Sequence, residues 1–171
     1  MGYSHHWYRV ETPAGPLPPE PPDAYGHLAF DALALIRTAA AAGIELADGT
    51  GDPATTPVVD EGGIWLNGTR PHDAETFAWP AQPGPEPWWT TQPGDRWWDA
   101  CKTNREPYDA VVCAALIRAA HHYGPSIRIS SDGAWSGAVR DGRHWPEWLT
   151  GRRLVVAVFG PDADTKPLTE P

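Results

Sequence analysis

The chain has 171 residues, 41% of them hydrophobic, enough to bury one core and no argument for a second. Its 22 acidic against 13 basic residues leave a net charge of −9, which repels a phosphate backbone over most of the surface and speaks against nucleic-acid binding, so any anion has to be held locally. The two cysteines, Cys101 and Cys113, are too few for a disulfide framework and lack CxxC spacing; reduced thiols, no metal and no cofactor are expected.

In chain order, the opening Met-Gly-Tyr-Ser-His-His-Trp has no basic region followed by an apolar run. No window approaches the roughly 18 apolar residues of a membrane span, and a cytoplasmic protein with no membrane partner is expected. His6 stands where a myristoylation signal needs Ser or Thr. Residues 4–11 read as an aromatic-rich strand whose alternation puts Tyr3, His5 and Trp7 on one face. A proline-rich connector, 13–22, follows. Apolar or small residues at Tyr25, Leu28, Ala32, Leu35, Ile36 and Ala39 then predict a helix closed by Gly43. Residues 44–46 start a short strand, 63–68 form a strand entering an Asn67-Gly68 turn, and 75–79 are its hairpin partner, ended by Pro80.

An irregular stretch, 80–98, carries Trp88, Trp89, Trp97 and Trp98. It could stack on a nucleobase or sugar, mediate self-association into a homo-oligomer, or fold as a lid on the core. A second helix is predicted over 108–123, stopped by Gly124-Pro125. A strand at 126–130, a turn at Asp132-Gly133, a partly helical polar segment over 135–150 and a buried strand at 154–159 complete the reading. The expected architecture is α+β: a single mixed or antiparallel sheet with two main helices packed on one face, one domain over 1–160 and a tail over 161–171.

The segment from Cys101 to Asp109 places Lys102 and Arg105 just before the second helix, with Thr103 and Tyr108 beside them, and a helix N-terminus under basic residues can hold an anion. Both cations could equally be solvated surface charges, while Thr103 and Asp109 suit helix capping. A helix of 15 residues rises about 22 Å and a returning six-residue strand about 20 Å, so Ser131 and Asp132 should come back to the level of Lys102 and Thr103. Cys101 is the nucleophile candidate, being near a helix start and beside Lys102, although an unpaired cysteine is commonly just buried. Glu75 and His5 are acid/base candidates. His121 and His122 point about 100° apart on a helix and suit its C-terminus better than a metal.

Taken together, Gly-Tyr-Ser-His-x-Trp at the start, Asn67-Gly68, Glu75-Thr76-Phe77, Cys101-Lys102-Thr103, Pro107-Tyr108-Asp109, His121-His122 and Ser130-Ser131-Asp132-Gly133 resemble a family of small uncharacterised bacterial and bacteriophage proteins. The resemblance covers most of the chain outside 80–98 and the tail. It implies that these motifs form the site and, by analogy, a host-takeover or counter-defence role. Dinucleotide, P-loop, zinc-protease and serine-hydrolase motifs are absent. The leading expectation is therefore a binding protein for an anionic, phosphorylated or nucleotide-like small molecule, held by Tyr3, His5, Trp7, Lys102, Thr103, Arg105, Tyr108, Ser131 and Asp132. A hydrolase or transferase acting on such a ligand, with Asp132, Glu75 or His5 as acid/base groups, is the alternative. A protein-interaction module using the Trp-rich loop is the third reading.

Overall fold

A computed structural model describes residues 2–83 and 98–168, which form three α-helices and eleven short strands. In chain order these are β1 (Ser4–Tyr8), β2 (Glu11–Thr12), β3 (Gly15–Pro16), α1 (Ala24–Ala41), β4 (Leu46–Ala47), β5 (Val58–Val59), β6 (Gly63–Gly68) and β7 (Phe77–Pro80). There follow β8 (Trp98–Lys102), α2 (Asp109–Tyr123), β9 (Arg128–Ser131), β10 (Ala138–Arg140), β11 (Arg143–Trp145) and α3 (Trp148–Phe159). The fold is α+β, and none of its helices is long and apolar enough to cross a membrane.

The expected single sheet with two helices is overturned. Among the described residues the strands make four small sheets: β8-β1-β9, β4-β6-β5 with β7 on β6, and the hairpins β2-β3 and β10-β11. All these strand pairs are antiparallel. Several strands are two residues long, too short to join the groups into one sheet. The segment read as a buried strand, 154–159, is the second half of a third helix. Its β-branched run suggested a strand, but Trp148, Gly151, Leu154 and Val155 are buried at helical spacing, and packing against α2 overrides local β-propensity. A strand also went unread at β8, where Asp99, Ala100 and Lys102 gave no apolar alternation.

Helix α2 is the centre of the molecule. Twelve of its 15 residues are buried, so it has no solvent face to speak of. On one side α1 docks through Asp31, whose Oδ2 accepts Arg118 Nε–H and His122 Nε2–H, each at 2.7 Å. On another side α3 crosses at Gly151, where a Cβ would collide with Cys113 Cβ and lie 3.0 Å from Ala110 O and Ala114 N. The three-stranded sheet meets it through Tyr3, His5 and Trp7, all buried on one face of β1 and its flank. Trp7 stacks on Trp79 at 5.6 Å between ring centroids and lies 5.4 Å from Phe77, which ties this sheet to β7.

Two predictions follow from these contacts. Gly151→Ala should destabilise the protein by about 1–3 kcal/mol, as overpacking of a tight crossing does, and chemical denaturation at an unchanged midpoint would refute the close approach. Burial pushes the Asp31 carboxyl up, but hydrogen bonds from His122 and Arg118 outweigh it and hold its pKa below the ordinary value. Its contribution is therefore present above the unfolded pKa and lost as pH falls through the folded one. Asp31→Asn should cost about 1.5–3 kcal/mol at neutral pH, with the gap to the parent protein narrowing below about pH 4. A gap that stays constant into acid would count against the assigned pairing.

Candidate functional site

Strand β1 lies between β8 and β9, and its register sets His5 opposite both Cys101 and Ser131. Side chains two apart on a strand share a face, so Tyr3, His5, Cys101, Thr103 and Ser131 are presented toward the N-terminal turn of α2. There Asp109 Oδ1 accepts His5 Nε2–H at 2.8 Å and the Thr103 hydroxyl at 2.6 Å. The Cys113 thiol, one turn along α2, lies 3.7 Å from Asp109 Oδ2 and 3.6 Å from His5 Nε2.

The Ser131 hydroxyl fixes the protonation of this cluster. Its oxygen accepts the Gly133 amide at 2.9 Å and Trp148 Nε1–H at 3.2 Å, which uses both lone pairs. Its own proton then goes to His5 Nδ1 at 2.9 Å, a nearer acceptor than Ser4 O at 3.4 Å. His5 consequently carries its proton on Nε2 and gives it to Asp109. The result is a serine–imidazole–carboxylate chain drawn from β9, β1 and α2, with His5 fully buried, Asp109 nearly so and Ser131 half-buried. Asp109 also opens α2, where a carboxylate complements the positive end of the helix. The first amides of that helix are engaged internally: Asp109 N–H bonds Glu106 O at 2.9 Å and Ala110 N–H bonds Pro107 O at 3.3 Å.

Beside this cluster lies a cavity of about 570 Å³, bounded by the end of α1, the 105–110 turn and α3. Ala39, Ile44, Trp145 and Leu154 contribute apolar wall, Asp109 is part of the lining, and Arg105 and Arg153 contribute positive charge. A second cavity of about 590 Å³, lined by Gly2, Arg105, Asp132, Arg140, Asp141 and Trp145, adjoins the same arginine. Asn104 and Arg105 both have left-handed backbone, with φ of 53° and 65°, a conformation that costs free energy in non-glycine residues and here turns the arginine inward. The Arg105 guanidinium sits 4.1 Å from the Tyr3 ring centroid and 5.2 Å from that of Trp145. Its Nη2 donates to Glu147 Oε1 at 2.9 Å, while its buried Nε has no hydrogen-bond partner among the described residues. Glu147, fully buried, is shared with Arg140 at 3.4 Å. Arg153 is exposed and makes no ion pair among the described residues.

The residues singled out from the sequence separate into groups. His5, Thr103 and Ser131 meet through Asp109. Tyr3 and Arg105 stack on each other. Trp7 is core, and Tyr108 is buried with its hydroxyl on Glu75 O at 2.7 Å. Asp132 is exposed, borders the second cavity and caps the Ser4 amide at 3.0 Å. Lys102 is exposed on β8, with its side chain against Gly2, away from the first cavity. Cys101 is fully buried, donates to Glu75 O at 3.3 Å and has its thiol pKa raised by burial, so it is neither reachable nor activated. Glu75 is exposed and its Oε2 accepts the Lys102 amide at 2.8 Å. Trp88, Trp89 and Trp97 lie outside the described residues. Sequence reasoning missed Cys113, Glu147 and Arg153. Cys113 did carry a signal, four positions after Asp109 and so on the same helix face. No family model, curated protein or solved structure matches the chain.

Thr103 offers a clean test of the cluster. Thr103→Val keeps the shape and removes one donor from a buried carboxylate, and should cost about 1.5–3 kcal/mol in urea denaturation. Stability within error of the parent would show that the hydroxyl does not hold Asp109.

Proposed function

We propose that the protein binds a small molecule with an apolar or aromatic body and an anionic end, of the nucleotide or phosphorylated-metabolite kind, in the 570 Å³ cavity. The observation that carries this reading is a pocket of ligand size with mainly apolar walls and two guanidinium groups, one of them without an ion pair among the described residues. Arg153 takes the anionic end, Trp145 and the aliphatic wall take the body, and Arg105 is held in place by Glu147 and Tyr3. Lys102 plays no part. If the ligand is returned intact, we propose that the protein acts by sequestration, the role that the resemblance of its motifs to bacterial and bacteriophage proteins suggests by analogy.

A second reading, a hydrolase or transferase on the same ligand, is favoured by one feature: the Ser131–His5–Asp109 chain ends on a residue of the cavity wall. Turnover separates the two. A binder leaves every nucleotide of a mixed panel chemically unchanged after long incubation, whereas an enzyme converts many equivalents.

Isothermal calorimetry with nucleoside mono- and diphosphates tests the binding site itself. Arg153→Ala should weaken the tightest binder by about 1–2 kcal/mol, a factor of roughly 5 to 30, without loss of fold, and Lys102→Ala should leave affinity unchanged. No binding across the panel, or equal affinity in Arg153→Ala, would sink the proposal.

A further inference from the structure

We infer that His5, Asp109 and Cys113 form a binding site for a divalent transition-metal ion of the zinc class. Each offers one ligand atom, from β1 and from successive turns of α2, and these atoms lie within 4.8 Å of one another. Zinc bond lengths of about 2.0–2.1 Å to N, 2.3 Å to S and 2.0–2.2 Å to O, opened tetrahedrally, put N···S and O···S at roughly 3.5–3.6 Å and N···O at roughly 3.4 Å. With Asp109 Oδ2 as the carboxylate ligand, both edges to sulfur fit: 3.6 Å from His5 Nε2 to Cys113 Sγ and 3.7 Å from Cys113 Sγ to Oδ2. The remaining edge lies within 4.8 Å, and His5 Nε2 has to leave its 2.8 Å hydrogen bond to the other oxygen, Oδ1.

Two further observations point to a missing occupant. The Tyr3 hydroxyl is fully buried and makes no hydrogen bond of ordinary length among the described residues; the nearest polar group it acts on is the Cys113 thiol, and its ring meets the His5 ring edge-on at 5.1 Å. A water in the fourth position of the ion would give that hydroxyl its partner. Charge supplies the second observation: a carboxylate, a thiolate and a neutral imidazole around a dication sum to zero, which relieves the cost of the nearly buried Asp109 charge.

The proton balance is explicit. On binding, Cys113 loses its thiol proton to solvent, and the proton on His5 Nε2 is replaced by the metal while Nδ1 gains one. Nδ1–H then donates to Ser131 Oγ, which gives up the longer of its two accepted bonds, from Trp148 Nε1 at 3.2 Å, and turns its own proton to Ser4 O, an acceptor already at 3.4 Å. The mixed N, O and S set selects zinc, cobalt or ferrous iron over magnesium or calcium, which prefer oxygen.

The full chain, stripped with chelator and titrated with cobalt(II), provides the test. The expected result is one equivalent bound per chain, a thiolate-to-cobalt charge-transfer band, intense d–d absorption of a four-coordinate site and displacement by zinc. Cys101→Ser should keep the band and Cys113→Ala should lose it. Arg153→Ala should bind cobalt like the parent, which keeps this site distinct from the proposed anion pocket. Less than a tenth of an equivalent bound by the parent chain would overturn the inference, as would an undiminished band in Cys113→Ala. Should Cys113→Ala fail to fold, the spectrum of the parent chain decides alone, since a bound ion without a thiolate band also refutes the site.

Discussion

The structure depends on His5 being tied at both ring nitrogens. It sits on the central strand of its sheet, fully buried, with Ser131 on one side and Asp109 on the other. A buried carboxylate is costly unless its lone pairs are met, and here an imidazole, a hydroxyl and a thiol surround it. That requirement joins β1 to α2. Ser131 then brings in β9, and Trp148, which donates to Ser131 and meets the His5 ring edge-on at 5.1 Å, brings in α3. One satisfied polar cluster thus fixes the mutual placement of a sheet and two helices, where an apolar contact would fix only their separation.

The cavity follows from the same arrangement. With the first turn of α2 pinned against the sheet, the 104–108 connection has to turn sharply, and it does so with two successive left-handed residues. Arg105 leaves that turn toward Tyr3 and Trp145, and the buried Glu147 at the mouth of α3 neutralises it. Arg105 is consequently a structural cation, committed to the wall of the cavity. Arg153, one helix turn into α3 and without an ion pair among the described residues, is the cation that the proposed ligand would meet. The basic pair visible before α2 in the sequence therefore divides: Arg105 builds the pocket, and Lys102 faces away from it.

Local patterns reported the elements well where one physical effect dominated. The α1 and α2 stripes, the Gly43 and Gly124 stops and the alternation of Tyr3, His5 and Trp7 were all legible, because helix periodicity and strand pleat act over a few residues. The 154–159 segment misled because β-branched composition outweighed the Trp148-Gly151-Leu154-Val155 spacing, which only packing against α2 makes decisive. Division into small sheets was not legible, since pairing of strands as distant as β1 and β8 is set by tertiary contacts. Within the site, the return of Ser131 to the level of Thr103 could be reasoned from element lengths. The role of Asp109 as the hub could not, because a carboxylate at a helix start also reads as an ordinary cap. Glu147 lay in the polar 135–150 segment read as partly helical and Arg153 just before the 154–159 strand reading, so neither was placed on the one helix that sets them beside the pocket.

The most direct test of the account is where a ligand sits. Nuclear magnetic resonance of the labelled protein, titrated with the tightest-binding nucleotide, reads this from chemical-shift changes and ligand-to-protein contacts. The account predicts that the Trp145 indole and the signals of Ile44, Arg153, Leu154 and Ala157 move together and saturate, with contacts from the ligand to the Trp145 ring. Saturable changes confined to other surfaces, with Trp145 and Arg153 unmoved, would contradict it.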